Sequence, residues 1–135
     1  MDARRLVSLP LFDHLSRHEL GQVARWADEI DIGVGTELVT EGEFAHEFFV
    51  ILEGEAEVTR KGHQVSRLGP GDFFGEIALL ESDHHRTATV TALSPMRLVV
   101  MFKREFRSMA DEIPEVGEKL HRTIRARLAA NSETG

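Results

Sequence analysis

The chain reads Phe73-Phe74-Gly75-Glu76-Ile77-Ala78-Leu79-Leu80 and, after a short loop, Arg86-Thr87-Ala88-Thr89-Val90. This order predicts a turn, a short helix and a strand. Gly75 has no Cβ, so the backbone there can approach a ligand closely. A helix that begins beside it aims unpaired N–H groups and the positive end of its dipole at an anion. Arg86 can add a charge-assisted contact to the same group, so the segment predicts a phosphate site.

Glu76 is the unexpected member of this segment, because a carboxylate beside a phosphate is repulsive. A sugar hydroxyl removes the conflict, since it can donate a hydrogen bond to the carboxylate. The segment therefore predicts a ligand that carries both a phosphate and a ribose.

The whole pattern resembles the phosphate-binding cassette of the cyclic nucleotide-binding domain family. The interval of ten residues between Glu76 and Arg86 is similar to that of the bacterial catabolite activator branch. The likeness extends over about residues 9–128, including 35–43, 48–58 and 68–73. Phe44 and His46 depart from it, because the family often has Pro and Asp at these two loop positions.

The resemblance implies a sensor that binds cAMP or cGMP, with no catalytic residues, no cofactor and no metal. It assigns Glu76 to the ribose, and it assigns the phosphate to six residues: Gly75, the amides of Ile77, Ala78 and Leu79, and the side chains of Arg86 and Thr87. The bacterial-type spacing favours cAMP over cGMP.

Three residues have two interpretations each. Thr87 could contact the base as well as the phosphate, as in some cGMP-responsive relatives, or it could be an ordinary β-branched strand residue. Val65 and Leu68 could form an apolar wall for the base, or they could belong to the core. The choice between the two nucleotides therefore stays open at the sequence level.

Composition suits one domain spanning 1–135, since 135 residues with 41% hydrophobic content can bury a core. A net charge of −7 argues against a general nucleic-acid-binding surface and requires any attraction of an anionic ligand to be local. There is no cysteine, which excludes disulfides and fits the cytoplasm. No apolar run approaches the roughly 20 residues of a membrane span.

Patterning predicts a mainly β fold with flanking helices. The segment 9–28 is predicted helical, with a capping box formed by Ser16 and Glu19. Short apolar runs separated by glycines then predict strands at 29–33, 37–40, 47–53, 55–60, 63–68, 87–92 and 96–102. The resemblance makes the region 29–102 an eight-stranded β-roll of the jelly-roll type.

Helical periodicity returns in the C-terminal segment 103–130, where Pro114 separates a short helix from a longer one. On the longer helix an apolar stripe recurs every four residues: Val116, Leu120, Ile124 and Leu128. The stripe could close over the base, form a homodimer seam or cover the open side of the roll. Basic residues on the same helix are predicted to face solvent: Arg122, Arg125 and Arg127.

The predicted function is a regulatory domain that relays nucleotide binding to an unidentified effector through its C-terminal helices. Alternatives are a truncated DNA-binding regulator of the catabolite activator type and a scaffold that has lost its ligand. An enzyme of the cupin kind also uses a β-roll, but the adjacent pair His84 and His85 lacks the ligand spacing of such a metal site. No nucleic-acid or membrane partner is expected for this chain.

Overall fold

The computed structural model describes residues 1–80 and 85–134, with the last five of these through the backbone alone. Two 3-10 turns at Ala3–Arg5 and Pro10–Phe12 precede helix α1, Arg17–Trp26. The predicted capping box is confirmed: Glu19 N–H donates to Ser16 Oγ at 3.1 Å, and Ser16 N–H donates to Glu19 Oε1 at 2.9 Å. This reciprocal pair satisfies two of the N–H groups that the start of a helix leaves without helical partners.

Eight strands confirm the predicted β-roll. Their bounds are β1 Asp28–Ile32, β2 Glu37–Val39, β3 Glu47–Glu53, β4 Ala56–Arg60, β5 His63–Leu68, β6 Phe73–Phe74, β7 Thr89–Ala92 and β8 Met96–Phe102. They form two antiparallel sheets, ordered β1-β8-β3-β6 and β2-β7-β4-β5. The seven strands expected from patterning are all present, although β7 begins two residues later than predicted. The eighth, β6, is a two-residue strand immediately before Gly75.

The hairpin of β4 and β5 turns at the predicted dipeptide. Lys61 and Gly62 both have positive φ, 51° and 79° respectively, as a two-residue turn of the type favoured between antiparallel strands requires. Cross-strand partners run from Arg60 opposite His63 to Ala56 opposite Leu68, with a bulge near Val58. This hairpin forms one wall of the cavity described below.

Strand β3 carries two cores because it is buried on both faces. Phe49 and Ile51 face the second sheet and pack in a core that includes Val90 of that sheet and Leu98 of the adjacent strand β8. Phe48 and Val50 face the helices outside the sheet. Alternation of side chains along a strand explains why neighbours enter different cores. The roll is therefore fixed to its flanking helices through one continuous strand.

Two helices follow β8: α3, Lys103–Glu112, and α4, Pro114–Thr134. Of the predicted apolar stripe, Val116, Leu120 and Ile124 are buried, whereas Leu128 is 39% exposed. Val116 and Leu120 join the core that includes Phe106 and Met109 of α3. Most of the stripe thus packs against the domain itself. Within the described residues no helix combines the length and apolar character needed to cross a membrane.

Candidate functional site

A cavity of about 320 Å³ lies between the second sheet, the cassette and α4. It brings together most of the residues predicted from the sequence: Val65, Leu68, Gly75, Glu76, Ile77, Ala78, Arg86 and Thr87. Leu79 does not line the cavity, and its side chain is fully buried in the helix-side core; the predicted phosphate contact was its backbone amide. The segments 74–78 and 86–90 therefore converge on one space even though a loop separates them in sequence.

Gly75 holds the tightest turn of the cassette, between β6 and the short helix α2, Glu76–Leu80. Its φ is +95°, a conformation that residues with a Cβ rarely adopt. A Cβ at this position would lie 2.9 Å from Arg86 Nη1 and 3.0 Å from the Glu47 carbonyl oxygen. Both backbone conformation and available space thus require glycine here.

Arg86 is fixed by the protein backbone on the side of this turn. Its side chain is buried, and Nη1 donates to the Gly75 carbonyl at 3.0 Å while Nη2 donates to the Glu47 carbonyl at 2.6 Å. Burial lowers the pKa of the guanidinium, and the nearby carboxylates of Glu47 and Glu76 oppose that effect. A guanidinium has five N–H donors, so two backbone contacts leave others for an anion in the cavity.

Glu76 is fully buried, which is unusual for a carboxylate. Its Oε1 accepts from Arg127 Nη1, and its Oε2 has no hydrogen-bond partner. Burial raises the pKa of this carboxyl, while the positive charge of Arg127 acts in the opposite direction. A buried acceptor without a donor costs free energy, so the site suits a ligand that brings a hydroxyl.

Arg127 is a cavity-lining residue that the sequence prediction placed wrongly. It was expected on the solvent side of α4, but it reaches into the cavity, pairs with Glu76 and donates through Nη2 to the Phe73 carbonyl at 2.6 Å. Its guanidinium also lies 5.3 Å from the centre of the Phe73 ring. A signal was present, because Arg127 follows Leu120 by seven residues and Ile124 by three, and these spacings share one helix face.

The wall opposite the cassette is mostly apolar. Val65 and Leu68 of β5 lie beside Val58 of β4, and the same cavity is lined by Val39, Phe74 and Val90. Sequence reasoning missed two polar residues of this wall, Arg60 and Ser66. Alternation along β4 could have indicated Arg60, since it lies two residues after Val58 and shares its face.

His85, one of the two adjacent histidines considered as metal ligands, does not line the cavity. His85 packs against the ring of Phe44, with ring centres 4.3 Å apart, and the two residues form an isolated bridge. Phe44 is one of the two loop residues that depart from the family pattern. His84 lies outside the described residues.

Comparisons with known proteins agree with this geometry. The family model described as cyclic nucleotide-binding domain matches residues 31–112. A cAMP-dependent protein kinase regulatory subunit from Yarrowia lipolytica is 37% identical over 106 residues, which cover 77% of this chain and 28% of the relative. A cyclic nucleotide-gated potassium channel from Rhizobium etli is 31% identical over 118 residues, covering 87% of this chain and 33% of the channel.

Among solved structures, the regulatory subunit of a cAMP-independent protein kinase A from Trypanosoma brucei aligns with a TM-score of 0.81 at 25% identity. That alignment covers 90% of this chain and 44% of the neighbour. The chain thus spans about a third or less of the two relatives matched by sequence, and under half of this neighbour. Its family is fixed by the profile match over more than half of its length: the chain belongs to the cyclic nucleotide-binding domain family.

Proposed function

We propose that this domain binds a 3′,5′-cyclic purine nucleotide in the cavity beside Arg86 and reports the binding through α4. The single observation that carries the proposal is the buried Glu76 carboxylate, whose Oε2 lacks a partner in a cavity that also contains a fixed arginine. The fixed cation of Arg86 and the carboxylate of Glu76 in the same space match a ligand that carries both a phosphate and a hydroxyl. The domain itself acts as a sensor and needs no catalytic residues.

The phosphate is proposed to lie between Arg86, Thr87 and the backbone of residues 75–79. Arg86 is already held in place by two carbonyl groups, so a ligand need not order its long side chain. Such preorganisation lowers the entropic cost of binding. The local cation also offsets the net charge of −7, which repels anions at long range.

The ribose 2′-hydroxyl is proposed to donate to Glu76. This contact would satisfy Oε2 and favour the ionised form of a carboxyl whose pKa is raised by burial. Val58, Val65 and Leu68 then provide an apolar surface for the base. Thr87 stays a proposed phosphate contact, and a contact to the base is the alternative proposed for it.

We propose cAMP ahead of cGMP as the natural ligand. The spacing from Glu76 to Arg86 supports it, and a kinase regulatory subunit similar to this chain is named as cAMP-dependent. The aligned Trypanosoma brucei protein is described as cAMP-independent, so the fold alone does not dictate cAMP. A direct comparison of the two nucleotides is therefore part of the test.

The proposed relay passes through Arg127 and Glu76. The proposed ribose hydroxyl and Arg127 both donate to the Glu76 carboxylate. A bound nucleotide would therefore alter the contact between Arg127 and Glu76 that holds this part of α4. Arg107 of α3 also contacts the cassette, because its Nη2 donates to the Leu79 carbonyl at 3.4 Å. For ligand binding to shift the helices, their two positions must differ in nucleotide affinity by a few kcal/mol.

Calorimetric titration with cAMP, cGMP and 2′-deoxy-cAMP tests the proposed site. We expect Glu76→Ala to weaken binding of cAMP by about 1.5–3 kcal/mol while hardly changing the affinity for the deoxy analogue. Glu43→Ala, on an exposed residue outside the cavity lining, is the matched control and should leave all three affinities unchanged. Equal losses for cAMP and 2′-deoxy-cAMP in the Glu76 variant would contradict the ribose assignment.

The relay is tested by the distance between two spin labels. The chain has no cysteine, so cysteines introduced at the exposed positions Val34 and Arg125 can be labelled cleanly. We expect saturating cAMP to change this distance, whereas a control pair at Val34 and Gln64, both in the roll, should not respond. Binding without any change between Val34 and Arg125 would leave the sensor intact and refute the helix relay.

A further inference from the structure

Arg60 lines the cavity, but none of the ligand contacts proposed above involves it. It ends strand β4 and lines the same cavity as Glu76 and Arg86. Its Nε is buried and has no hydrogen-bond partner. In the described part of the chain, two buried side-chain atoms lack a partner, Arg60 Nε and Glu76 Oε2, and both belong to side chains that line this cavity.

A buried N–H donor without an acceptor is unfavourable, and more so when it carries charge. The salt bridges formed by the described residues do not include Arg60. The fold therefore leaves Arg60 Nε uncompensated in the same way as it leaves Glu76 Oε2. An unpaired donor and an unpaired acceptor in one cavity indicate two different groups on the same ligand.

The position of Arg60 indicates which group its donor meets. Arg86, Thr87 and the turn at Gly75 occupy the phosphate end, and Glu76 the ribose. Arg60 instead shares the face of β4 with Val58, and across the hairpin the cavity is lined by Val65 and Ser66 of β5. This is the apolar wall that suits a flat base.

Purine bases offer acceptors to an arginine along one edge. Both adenine and guanine present N7 there; guanine places the acceptor O6 beside it, whereas adenine places an amino donor. A guanidinium fork meets O6 and N7 of guanine with two parallel hydrogen bonds, but it meets only N7 of adenine.

We propose that Arg60 reads the N7 edge of the bound purine. It contacts N7 in either nucleotide and adds a second hydrogen bond to O6 of guanine, so it favours cGMP relative to a variant that lacks the guanidinium. This inference rests on the proposed function, since it takes for granted that a cyclic purine nucleotide occupies the cavity. Arg60 thereby acts as a specificity-determining residue on the wall opposite the cassette.

The test compares cAMP, 7-deaza-cAMP and cGMP on the full chain by calorimetric titration. Replacing N7 by a carbon removes this hydrogen-bond acceptor and leaves the shape of the ring system almost unchanged. We expect the wild-type protein to bind 7-deaza-cAMP about tenfold more weakly than cAMP, as loss of a hydrogen bond to a charged group implies. In Arg60→Met the two affinities should become equal, and the affinity for cGMP should fall about tenfold more than that for cAMP.

Arg67→Met is the matched control, because it removes the same charge from the same hairpin. Arg67 pairs with Glu55 on the exposed side and does not line the cavity. We expect it to leave the ratios among the three ligands unchanged. Arg60→Lys keeps the charge without the fork and should lose the cGMP advantage while it retains part of the N7 contact.

Two outcomes overturn the inference while leaving the proposed function standing. Equal wild-type affinities for cAMP and 7-deaza-cAMP would refute the N7 contact, and this comparison needs no variant that must fold. A uniform loss for all three ligands in Arg60→Met would place Arg60 at the phosphate or ribose instead. Failure of the wild-type protein to bind any of the three would refute the proposed function itself, and with it the role of Arg60.

Discussion

The two sides of the cavity are held in different ways. On the cassette side, Arg86 is buried and donates to two backbone carbonyl groups, and Gly75 has no room for another atom. On the helix side, α4 enters the cavity through one long side chain, Arg127, whose side chain is 30% exposed. The cassette is thus fixed by packing and backbone hydrogen bonds. Arg127 instead holds its part of α4 through exchangeable polar contacts, an ion pair with Glu76 and a hydrogen bond to the Phe73 carbonyl.

This difference fits the proposed division between a recognition site in the cassette and a response in α4. A site that must fit one small anion benefits from groups that are already in place, because ordering them on binding costs affinity. A reporting element must have two arrangements of similar free energy, so it cannot be packed so tightly. Arg127 joins the two regions, since it contacts both the Glu76 carboxylate and the Phe73 carbonyl.

Arg86→Ala should break the cassette side most severely. The change removes the proposed charge-assisted contact to the phosphate, so binding should weaken by about 1.5–3 kcal/mol, or roughly 10- to 150-fold. It also leaves the Gly75 and Glu47 carbonyls without their donor, which should lower the free energy of unfolding by about 2 kcal/mol. Calorimetry measures the first effect, and urea unfolding followed by the fluorescence of Trp26 measures the second.

Arg97→Ala is the control for this variant. Arg97 forms partly exposed ion pairs on β8, such as that with Asp31 at 3.0 Å, and lies outside the cavity. Its loss should cost less than about 1 kcal/mol of stability and leave nucleotide affinity unchanged. Similar binding losses in both variants would mean that the general field of the protein, rather than a phosphate contact, explains the role of Arg86.

Gly75→Ala should have the next largest total effect, because it acts mainly on stability, whereas Arg86→Ala lowers both stability and binding. A residue with a Cβ loses about 1–2 kcal/mol of stability when its backbone φ is near +95°, and the contact of that Cβ with the Glu47 carbonyl at 3.0 Å adds to the loss. We therefore expect the free energy of unfolding to fall by about 2–3 kcal/mol in total. Gly62→Ala has a comparable φ of +79° but open space, so it should show only the conformational cost. Equal losses of unfolding free energy in the two variants would show that the close approach to Glu47 has no consequence.

Arg127→Ala tests the helix side of the comparison. Removing Arg127 leaves the buried Glu76 carboxylate without its cation and raises its pKa further. We expect the free energy of unfolding to fall by about 1–2 kcal/mol at neutral pH, a modest amount because Arg127 is partly exposed. The fall should be smaller at acidic pH, where Glu76 is protonated. Arg125→Ala, exposed on the same helix, should change stability by no more than about 0.5 kcal/mol. A loss that is equal at both pH values would contradict the pairing with Glu76.

The smallest expected effect is a pH dependence that comes from Glu76 alone. The pKa of Glu76 is raised above its ordinary value of 4.5, chiefly by burial, so above pH 4.5 the folded protein retains a proton that the unfolded chain releases. This stabilising contribution is complete below pH 4.5 and is lost as the pH rises through the raised value. Nucleotide affinity should rise over the same interval, because the hydroxyl donates to the ionised carboxylate.

Comparing the wild-type protein with Glu76→Gln measures this contribution. Thermal unfolding across the acidic range gives the free energy of unfolding as a function of pH. The slopes of the two proteins should differ by an amount that corresponds to at most one bound proton. Identical pH profiles for the two proteins would mean that Glu76 does not titrate differently in the folded state. The same profiles measured with Arg127→Ala should move the interval to higher pH.

Local features of this fold were predictable because their determinants are close in sequence. The capping box of α1 needs only Ser16 and Glu19, and the hairpin needs only Lys61 and Gly62 between two apolar runs. The two-residue strand β6 was missed since it is too short to show alternation, and its pairing with Phe49 and Val50 of β3 is a long-range contact. Patterning gave seven strands, and tertiary pairing supplied the eighth.

The cavity shows the same division. Its cassette residues were predicted from a resemblance that includes the ten-residue interval between Glu76 and Arg86, whereas the cavity positions of Arg60 and Arg127 were missed. Both missed residues looked like ordinary solvent-facing arginines, which most arginines are. Their helical or strand spacing to buried neighbours was a usable signal, but only the packing of α4 and the β4–β5 hairpin shows that those faces border a cavity.

By itself the sequence determined the cassette: the glycine turn, the carboxylate and the arginine lie within twelve positions, from Gly75 to Arg86, and their chemistry follows from residue type and order. Only the tertiary structure decided that Arg127, 51 positions from Glu76, holds that carboxylate, and that the apolar stripe of α4 covers the domain's own core. The physical reason is that short-range geometry is set by a few backbone angles. A contact between distant residues depends on how whole elements pack.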